Sequence, residues 1–339
     1  MSLAHRLHDI WYTPHITPAA AVLWPLSVLY GAVAGARRFA YRAGWLERER
    51  LAVPVVVVGN ISVGGTGKTP IVRALVAELA ARKFHPGIVS RGYRARRTDA
   101  RVVAPEDSPR EVGDEPAMLA RDGVPVAVGA ARAQAARALL DAHPSVDVIV
   151  CDDGLQHYAL ERDVEIAVID AQRGFGNGLL LPAGPLREPV GRLRDVDAIV
   201  YRSVSAGEGE APAQSHAFVA TEEVLPLRNL LDPALVADIA SLSQGTVHAV
   251  AGIADPGRFF ARLRALGLSP RCHAFADHHD FVRADVEFAG ATAIVMTEKD
   301  AVKCAAFADA RMWFLPLRAR IDPALTDLVE EAIRGPEAA

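Results

Sequence analysis

Residues 59–70 read GNISVGGTGKTP and join two segments of contrasting pattern. The preceding run, residues 53–58, is apolar and mostly β-branched, which is typical of a strand buried on both faces of a parallel sheet. The following residues, 69–83, carry apolar side chains at helical spacing. Glycines let successive N–H groups turn toward phosphate oxygens, and a helix amino terminus favours an anion. The stretch therefore predicts a phosphate-binding loop between a central strand and a helix.

The loop also predicts roles for individual side chains. Lys68 is expected to reach the β- and γ-phosphates of a nucleotide, and the Thr69 hydroxyl to bind Mg²⁺. The strict pattern GxxxxGK[ST] would require glycine at Ser62, so the match is imperfect. A Gly-rich turn without function is the alternative, but it does not explain the GKT motif in this strand–loop–helix context. The residues expected to hold ATP are Ser62, Val63, Gly64, Gly65, Thr66, Gly67, Lys68 and Thr69.

Two adjacent carboxylates, Asp152 and Asp153, follow the mostly apolar run at residues 146–151, within CDDGLQH. P-loop enzymes place a Mg²⁺-associated acid at the carboxyl end of such a strand. An Asp-Gly pair can instead close a turn through its own backbone. The pair of acids favours the metal interpretation without deciding which carboxylate binds Mg²⁺.

The composition is that of an ordinary globular protein: 339 residues, 51% hydrophobic and 23% charged. The formal net charge of −4 argues against a general nucleic-acid binder, which would usually be basic. Cys151, Cys272 and Cys304 have no close pairing, which fits a reducing compartment and excludes a disulfide scaffold or a CxxC metal site.

The amino terminus joins an uncharged segment, residues 17–36, to a basic and aromatic collar. The segment is about long enough to cross a bilayer, although prolines, glycines and alanines weaken its hydrophobicity. A secretory signal would place its basic residues first. One interpretation is a helix buried in the domain; the other, which we favour, is a helix that spans the membrane or lies on it, with its arginines at cytoplasmic headgroups. The collar residues are Arg37, Arg38, Phe39, Tyr41, Arg42 and Trp45.

Strand-like runs alternate with helical segments along the rest of the chain, which is typical of βαβ units. We predict an α/β fold: a P-loop NTPase-like, doubly wound, mostly parallel sheet with a second, smaller α/β domain and an N-terminal membrane-associated helix. Residues 203–215, SVSAGEGEAPAQS, indicate a linker. The predicted divisions are a membrane-associated segment (1–45), a nucleotide-binding domain (46–204) and a C-terminal domain (205–339) that closes over the site.

Phosphoryl transfer also needs a residue that positions the attacking hydroxyl and takes its proton. Asp114, in EVGDEP, is one candidate, with helix capping as its structural alternative. His278 and His279, in FADHHDF, are the others, and spacing alone does not choose between the two sites.

Seven motifs, taken together, resemble one known family. In chain order they are GNISVGGTGKTP (59–70), SRGYR (90–94), GDEP (113–116), CDDGLQH (151–157), PAGPLRE (182–188), FADHHDF (275–281) and TEKDAVK (297–303). With the apolar amino terminus, they strongly resemble the tetraacyldisaccharide 4'-kinases, the lipid A 4'-kinases of Gram-negative bacteria. The resemblance implies transfer of the γ-phosphate of ATP to the 4'-hydroxyl of a tetraacylated glucosamine disaccharide 1-phosphate. The product would be lipid IVA, made at the cytoplasmic face of the inner membrane.

The resemblance also implies roles for site residues. Asp114 looks like the family's catalytic base, and it would be paired with His278. Lys68 and Asp152 complete the expected catalytic set. Asp152 and Asp153 match the acidic pair at the Mg²⁺ centre. Arg187 could hold an anionic headgroup bidentately, whereas Tyr93 and Arg94 could equally be solvated loop residues. The expected substrate-side residues are Tyr93, Arg94, Gln156, His157, Arg187 and Glu188.

The segment TEKD superficially resembles the guanine-binding NKxD motif, but Lys299 stands third rather than second. We interpret it as a nucleotide-side or structural turn and do not infer GTP. Two other functions stay open on the residues alone. One is a nucleotide-dependent switch or metallochaperone using Cys151, His278 and His279, which lack a recognised ligand spacing; the other is a soluble kinase for a small metabolite. Neither nucleic acid nor an obligate protein partner is indicated.

Overall fold

The computed structural model describes residues 7, 9–13, 15–65, 67–93, 95, 99–203 and 216–335. Thr66, Arg94 and the predicted linker beyond residue 203 lie outside the described residues. The chain divides into two compact units. Unit 1 comprises Met1–Arg91, Ala131–Glu222 and Ala319–Ala339, and unit 2 comprises Gly92–Ala130 and Glu223–Arg318.

The α-helices of the described residues are α1 (Pro18–Arg42), α2 (Lys68–Ala81), α3 (Pro109–Val112), α4 (Asp114–Ala120), α5 (Arg132–Ala142), α6 (Ile239–Ser243), α7 (Pro256–Ala265), α8 (Glu298–Cys304) and α9 (Pro323–Arg334). Short 3₁₀ helices cover Val190–Asp195, Arg283–Val286 and Ala305–Phe307.

The strands are β1 (Val55–Gly59), β2 (Pro86–Ser90), β3 (Arg101–Val103), β4 (Val126–Val128), β5 (Val148–Asp152), β6 (Val164–Asp170), β7 (Ala198–Ser203), β8 (Ala217–Val224), β9 (Arg228–Asn229), β10 (Val247–Ala251), β11 (Arg271–Ala274), β12 (Ala293–Thr297), β13 (Met312–Leu315) and β14 (Leu317–Ile321).

Unit 1 is built on a parallel sheet with the strand order β8-β7-β6-β1-β5-β2, and β14 adjoins β8. The valine-rich strand β1 is wholly buried and lies between β5 and β6, so that Val57 pairs with both Cys151 and Glu165. The order of the strands reverses at β1. In open α/β sheets such a reversal leaves a crevice at the carboxyl ends of the strands, where ligands bind. The expected doubly wound, mostly parallel sheet is confirmed.

Unit 2 contains a second sheet with the order β11-β10-β12-β13-β9. Only β9 is antiparallel to its neighbour among these strands. The antiparallel pair β3–β4 belongs to the same unit. Phe259, Phe260 and Leu263 of α7 join one apolar cluster, and Phe281 and Met296 join another. The expected second, smaller α/β part of the fold is therefore present.

The units of the structure are not contiguous segments, in contrast to the divisions expected at residues 45 and 205. Residues 92–130 belong to unit 2, because the buried face of α4 packs beside α8. The chain end returns to unit 1, where Arg82, at the end of α2, pairs with Asp327 and Glu330 of α9. Both returns depend on pairing between distant parts of the sequence. Whether the predicted divisions act as functional domains stays a prediction.

Helix α1 is mostly exposed. Thr17 caps it, with its hydroxyl accepting from the N–H of Ala20 at 3.2 Å, and only Ala20 and Ser27 are buried. The helix is long and apolar enough to cross a membrane by length and composition, and just 11% of its most apolar window is buried. The interpretation of a helix buried in the domain is therefore wrong. The exposed apolar side chains include Val22, Trp24, Leu26, Val28, Leu29 and Val33.

Candidate active site

The predicted phosphate loop joins the end of β1 to the start of α2, at the carboxyl edge of the parallel sheet. Gly67 is the N-cap of α2 and has a left-handed backbone with φ of 74°. The loop backbone is tied to the segment that contains PAGPLRE, because the N–H of Val63 donates to the carbonyl of Pro185 at 2.8 Å. A 14-residue helix thus begins where a bound anion would meet its amino terminus.

Lys68, Asp153 and Arg187 form one ionic cluster beside this loop. Lys68 Nζ lies 3.4 Å from Asp153 Oδ1, and Arg187 Nη1 donates to both oxygens of Asp153 at 3.0 and 3.2 Å. Burial alone raises the pKa of Asp153, but the charges of Lys68 and Arg187 outweigh it and hold the pKa below its usual value. The carboxylate is therefore ionised at neutral pH. It lies within reach of both cations expected to contact phosphate.

The other predicted acid, Asp152, is buried at the end of β5. Thr69 Oγ1 donates to Asp152 Oδ2 at 3.4 Å. A hydroxyl and a carboxylate side by side at a phosphate loop suit Mg²⁺, which is usually held by one or two carboxylates, phosphate and water. No group of three or more His, Cys, Asp or Glu that could hold a metal occurs among the described residues. The Thr69 hydroxyl and the Asp152 carboxylate therefore fit a Mg²⁺ ion that also binds the nucleotide, better than a metal ion bound only by protein side chains.

Gln156 and Glu188 extend the cluster of unit 1. Gln156 Nε2 donates to Glu188 Oε2 and to the carbonyl of Asn60, both at 2.9 Å. Its Oε1 accepts from Arg187 Nη1 at 3.3 Å. Glu188 is buried and also accepts from the Tyr158 hydroxyl. Burial of Tyr158, followed by the charge of Glu188 and this hydrogen bond, raises the pKa of Tyr158 to about 12. Glu188 therefore orients neighbouring groups within unit 1.

His157 is part of the same loop, and its Nε2 accepts from the N–H of Arg132 at 3.3 Å. Burial, followed by the charges of nearby arginines, lowers the pKa of His157 to about 4. The imidazole is consequently neutral at physiological pH.

In unit 2, Asp114 and His278 lie in contact. His278 Nδ1 is 2.9 Å from Asp114 Oδ2, and both side chains are largely buried. Asp114 is the first residue of α4. The Tyr93 ring lies 5.3 Å from the His278 ring. The other candidate, His279, pairs with Asp285 at 2.9 Å instead.

His278 and Asp153 share an unusual backbone conformation, with φ of 59° and 52°. Among the described non-glycine residues, only Lys83 also has positive φ. Such conformations cost free energy and concentrate at functional sites. Two of the three positions therefore coincide with residues already expected to be functional.

The Asp114–His278 pair borders a cavity of about 470 Å³ formed by unit 2. Its wall combines aromatic, cationic and polar side chains, which is typical of a site for a polar ligand with apolar faces. The lining includes Tyr93, Arg110, Asp114, His278, Phe281 and Lys303.

The structure thus gathers the predicted residues into two sets. Unit 1 carries the phosphate loop with Asp152, Asp153, Gln156, His157, Arg187 and Glu188, and unit 2 carries Tyr93, Asp114 and His278. Cys151, the thiol of the metallochaperone alternative, is fully buried, and burial raises its pKa, which disfavours the thiolate that a metal would require.

Two lysines near the Asp114–His278 pair were not predicted as site residues. Lys299 and Lys303, within TEKDAVK, contact His278 and Asp114 rather than forming a mere turn. Their spacing of four places both on one face of a helix, and that signal was available in the sequence.

Comparisons with known proteins agree with this geometry. The family model described as LpxK, tetraacyldisaccharide-1-P 4'-kinase, matches residues 19–334. A tetraacyldisaccharide 4'-kinase of Alkalilimnicola ehrlichii is 51% identical over 320 residues, covering 93% of this chain and 92% of that protein. One of Methylobacillus flagellatus is 48% identical over 331 residues, covering 97% and 96%. A crystal structure of LpxK from Aquifex aeolicus in complex with ATP is similar, with a TM-score of 0.81 at 29% identity over 93% of this chain and 99% of that one.

Proposed function

This chain belongs to the tetraacyldisaccharide 4'-kinase family, and we propose that unit 1 binds Mg²⁺ and ATP while Asp114 of unit 2 takes the proton from the attacking hydroxyl. The enzyme transfers the γ-phosphate of ATP to the 4'-hydroxyl of a tetraacyldisaccharide 1-phosphate, which gives lipid IVA in lipid A biosynthesis. Neither a switch nor a small-metabolite kinase is favoured by any feature of the site.

The nucleotide side of the proposal rests on the ionic cluster of unit 1. Lys68 neutralises the β- and γ-phosphates, and the N–H groups of the loop orient them. Thr69 and Asp152 would hold Mg²⁺, with Asp153 as the alternative carboxylate. Bound there, the ion would stabilise negative charge on the transferring phosphoryl group. Arg187, whose Nη1 contacts both oxygens of Asp153, is placed to exchange that contact for a phosphate oxygen.

The single observation that carries the assignment of the base is the hydrogen bond between His278 and Asp114. The 4'-hydroxyl proton passes to the Asp114 carboxylate as the oxygen bonds to the γ-phosphorus. The bond from the γ-phosphorus to the bridging oxygen breaks, and ADP leaves with that electron pair. His278 holds the carboxylate in position through this step. Helix capping, the alternative role, does not explain a side chain directed at an imidazole.

The cavity beside this pair is the proposed site of the acceptor sugar. Tyr93 and Phe281 offer ring faces to a pyranose, and Arg110 offers donors to its oxygens. Because Asp114 belongs to unit 2 and the phosphate loop to unit 1, the proposal includes a closing step that brings the hydroxyl to the phosphate and excludes water.

Membrane attachment at the cytoplasmic face of the inner membrane is also part of the proposal. Helix α1 exposes a broad apolar surface. Phe39, in its last turn, and Trp45, just beyond its end, are both exposed, with ring centroids 5.4 Å apart. Aromatic side chains favour the level of the headgroups. A tetraacylated substrate stays in the membrane, so a helix lying on or in the bilayer brings the enzyme to it. No nucleic-acid or obligate protein partner is needed.

The decisive experiment measures transfer of labelled γ-phosphate to tetraacyldisaccharide 1-phosphate in detergent micelles, scored by chromatography, with Mg²⁺ or with EDTA. We expect Asp114→Asn to lower kcat by about 10²- to 10⁴-fold with little change in ATP affinity. Glu111→Gln, an exposed acid three positions earlier, is the matched control. Equal losses of kcat and ATP affinity in Asp114→Asn would show that Asp114 binds rather than catalyses.

A further inference from the structure

Asp300 organises the start of helix α8, in the segment TEKDAVK. It is completely buried, and its Oδ2 accepts from the N–H of Gly252 at 2.9 Å and from Thr297 Oγ1 at 2.7 Å. Its Oδ1 accepts from Lys303 Nζ at 2.8 Å. A buried carboxylate with three donors is rigidly held. Asp300 therefore fixes the position of the Lys303 ammonium.

Lys303 and Lys299 each contact one member of the proposed catalytic pair. Lys303 is nearly buried, donates to the carbonyl of His279 at 3.1 Å and lies 3.5 Å from Asp114 Oδ2. Lys299, one turn earlier, places its Nζ 3.2 Å from His278 Nε2. One lysine thus faces the carboxylate, and the other faces the imidazole.

These contacts specify where the protons lie. A lysine ammonium has donors and no acceptor, so His278 Nε2 must accept from Lys299. The imidazole proton is then on Nδ1, directed at Asp114 Oδ2. This tautomer makes Asp114 the acceptor of a hydrogen bond and leaves its carboxylate unprotonated.

We propose that Lys303 and Lys299 are positioning residues of the kinase reaction: Lys303 holds the Asp114 carboxylate in place through their ion pair, and Lys299 holds His278 in the Nδ1–H tautomer. The inference rests on the proposed role of Asp114 as the base. It assigns TEKDAVK to the acceptor side of the reaction rather than to the nucleotide.

The charges around Asp114 support this role. Burial alone raises the pKa of Asp114, and the hydrogen bond from His278 and the charges of Lys303 and Lys299 outweigh it, so the pKa lies below its usual value. Lys299 is itself flanked by Glu115 at 3.9 Å and Asp277 at 3.8 Å. Without Lys303, one of the cations that oppose the effect of burial would be lost, and the pKa of Asp114 would rise.

The first test uses Lys303→Met, Lys303→Arg and Lys299→Met. In protein labelled at aspartate, ¹³C NMR follows the Asp114 carboxyl carbon, assigned with Asp114→Asn. We expect its titration midpoint to move upward by about 1 unit or more in Lys303→Met, and to stay near wild type in Lys303→Arg, because an opposite charge at this distance shifts a carboxyl pKa by about 1–3 units. Arg228→Met, an exposed cation of unit 2 outside the cavity, should leave it unchanged.

The second test reads the His278 tautomer by ¹⁵N NMR, assigned with His278→Gln. Wild type should show an unprotonated Nε2, and Lys299→Met should mix the two tautomers. Both lysine variants should lower kcat with unchanged KM for ATP. Because Lys303→Met leaves Asp300 buried with a lost partner, Lys303→Met/Asp300→Asn provides a second variant if the first does not fold.

The role of Asp114 and the roles of the two lysines can be refuted separately. If Asp114→Asn keeps full transfer, the proposed base is wrong. If Asp114→Asn is inactive while both lysine variants keep the wild-type midpoint, tautomer and kcat, the inference about the lysines is wrong and the base stands.

Discussion

Gly67 lies directly against Arg202: a Cβ atom on Gly67 would be 2.5 Å from Arg202 Cδ and 2.6 Å from its Nε. Arg202 is buried and held between two acids, Asp170 on the paired strand and Glu222, the latter at 2.5 Å. The guanidinium therefore cannot yield without breaking a buried ionic contact. The turn that begins α2 depends on the absence of a side chain at residue 67.

We predict that Gly67→Ala weakens ATP binding by about tenfold to a hundredfold, because a non-glycine residue in a left-handed conformation costs about 1–3 kcal/mol before the contact with Arg202 is counted. Calorimetric titration with ATP measures the effect. Gly65→Ala, where a Cβ would meet nothing within 4 Å, should lose much less. Equal losses in the two variants would mean that the contact with Arg202 does not matter.

Lys68→Ala should remove most turnover, by about 10²- to 10³-fold, while leaving the fold intact, since Lys68 is proposed to neutralise phosphate charge and packs little core. Its partner Asp153 would lose one of its two cations. Steady-state assays and thermal unfolding measure the two effects. Lys83→Ala, an exposed lysine just beyond the other end of α2, is the control. A large fall in Tm for Lys68→Ala alone would point to a structural role instead.

The exposed face of α1 should govern binding to lipid. Leu26→Glu/Leu29→Glu places two carboxylates on that face and should weaken vesicle binding by at least about tenfold, because burying charged groups in a bilayer costs several kcal/mol. Flotation with vesicles containing anionic lipid provides the measurement. Leu231→Glu/Leu235→Glu changes two leucines of unit 2 with similar exposure, 59% and 51%. Identical flotation of both double variants would argue against membrane attachment through α1.

The depressed pKa of His157 predicts how stability depends on pH. In the unfolded chain the pKa returns to 6.5, whereas in the native protein it is about 4. Between these values the unfolded chain binds a proton that the native protein does not, so the free energy of unfolding falls as pH falls through this window. His157→Gln should show a smaller decrease in Tm from about pH 7 to about pH 5. His216→Gln changes an exposed histidine and should show the same decrease in Tm as wild type. A wild-type decrease in His157→Gln would mean that burial does not hold the imidazole of His157 neutral.

The loop between β1 and α2 could be predicted because its requirements are local. GKT after a valine-rich strand specifies both the turn and the helix, and the structure has β1, the loop and α2 in that order. Asp152 could be placed for the same reason, since it ends a buried strand. The fold class followed from repeated alternation of such strands with helices.

Which segments of the chain make up unit 2 could not be predicted in this way. Asp114 and His278 are 164 positions apart, and only the packing of α4 beside α8 makes them neighbours. The lysines of TEKDAVK share a helix face by spacing, but the groups they face depend on that packing. The return of α9 to unit 1 likewise depends on Arg82, whose ion pairs join residues about 245 positions apart.

Helix α1 and the phosphate loop have a common support. Ser27 Oγ donates to the carbonyl of Leu180 at 2.8 Å and accepts from the N–H of Ala183 at 2.9 Å. The Tyr30 hydroxyl donates to the carbonyl of Arg187. Two residues before Arg187, the carbonyl of Pro185 accepts a hydrogen bond from the N–H of Val63. In the proposed membrane attachment, the height of the nucleotide above the lipid surface would therefore be set by hydrogen bonds inside unit 1. A helix that tilts or sinks in a thinner bilayer would carry the triphosphate with it, so turnover would vary with bilayer thickness even for the same acyl chains.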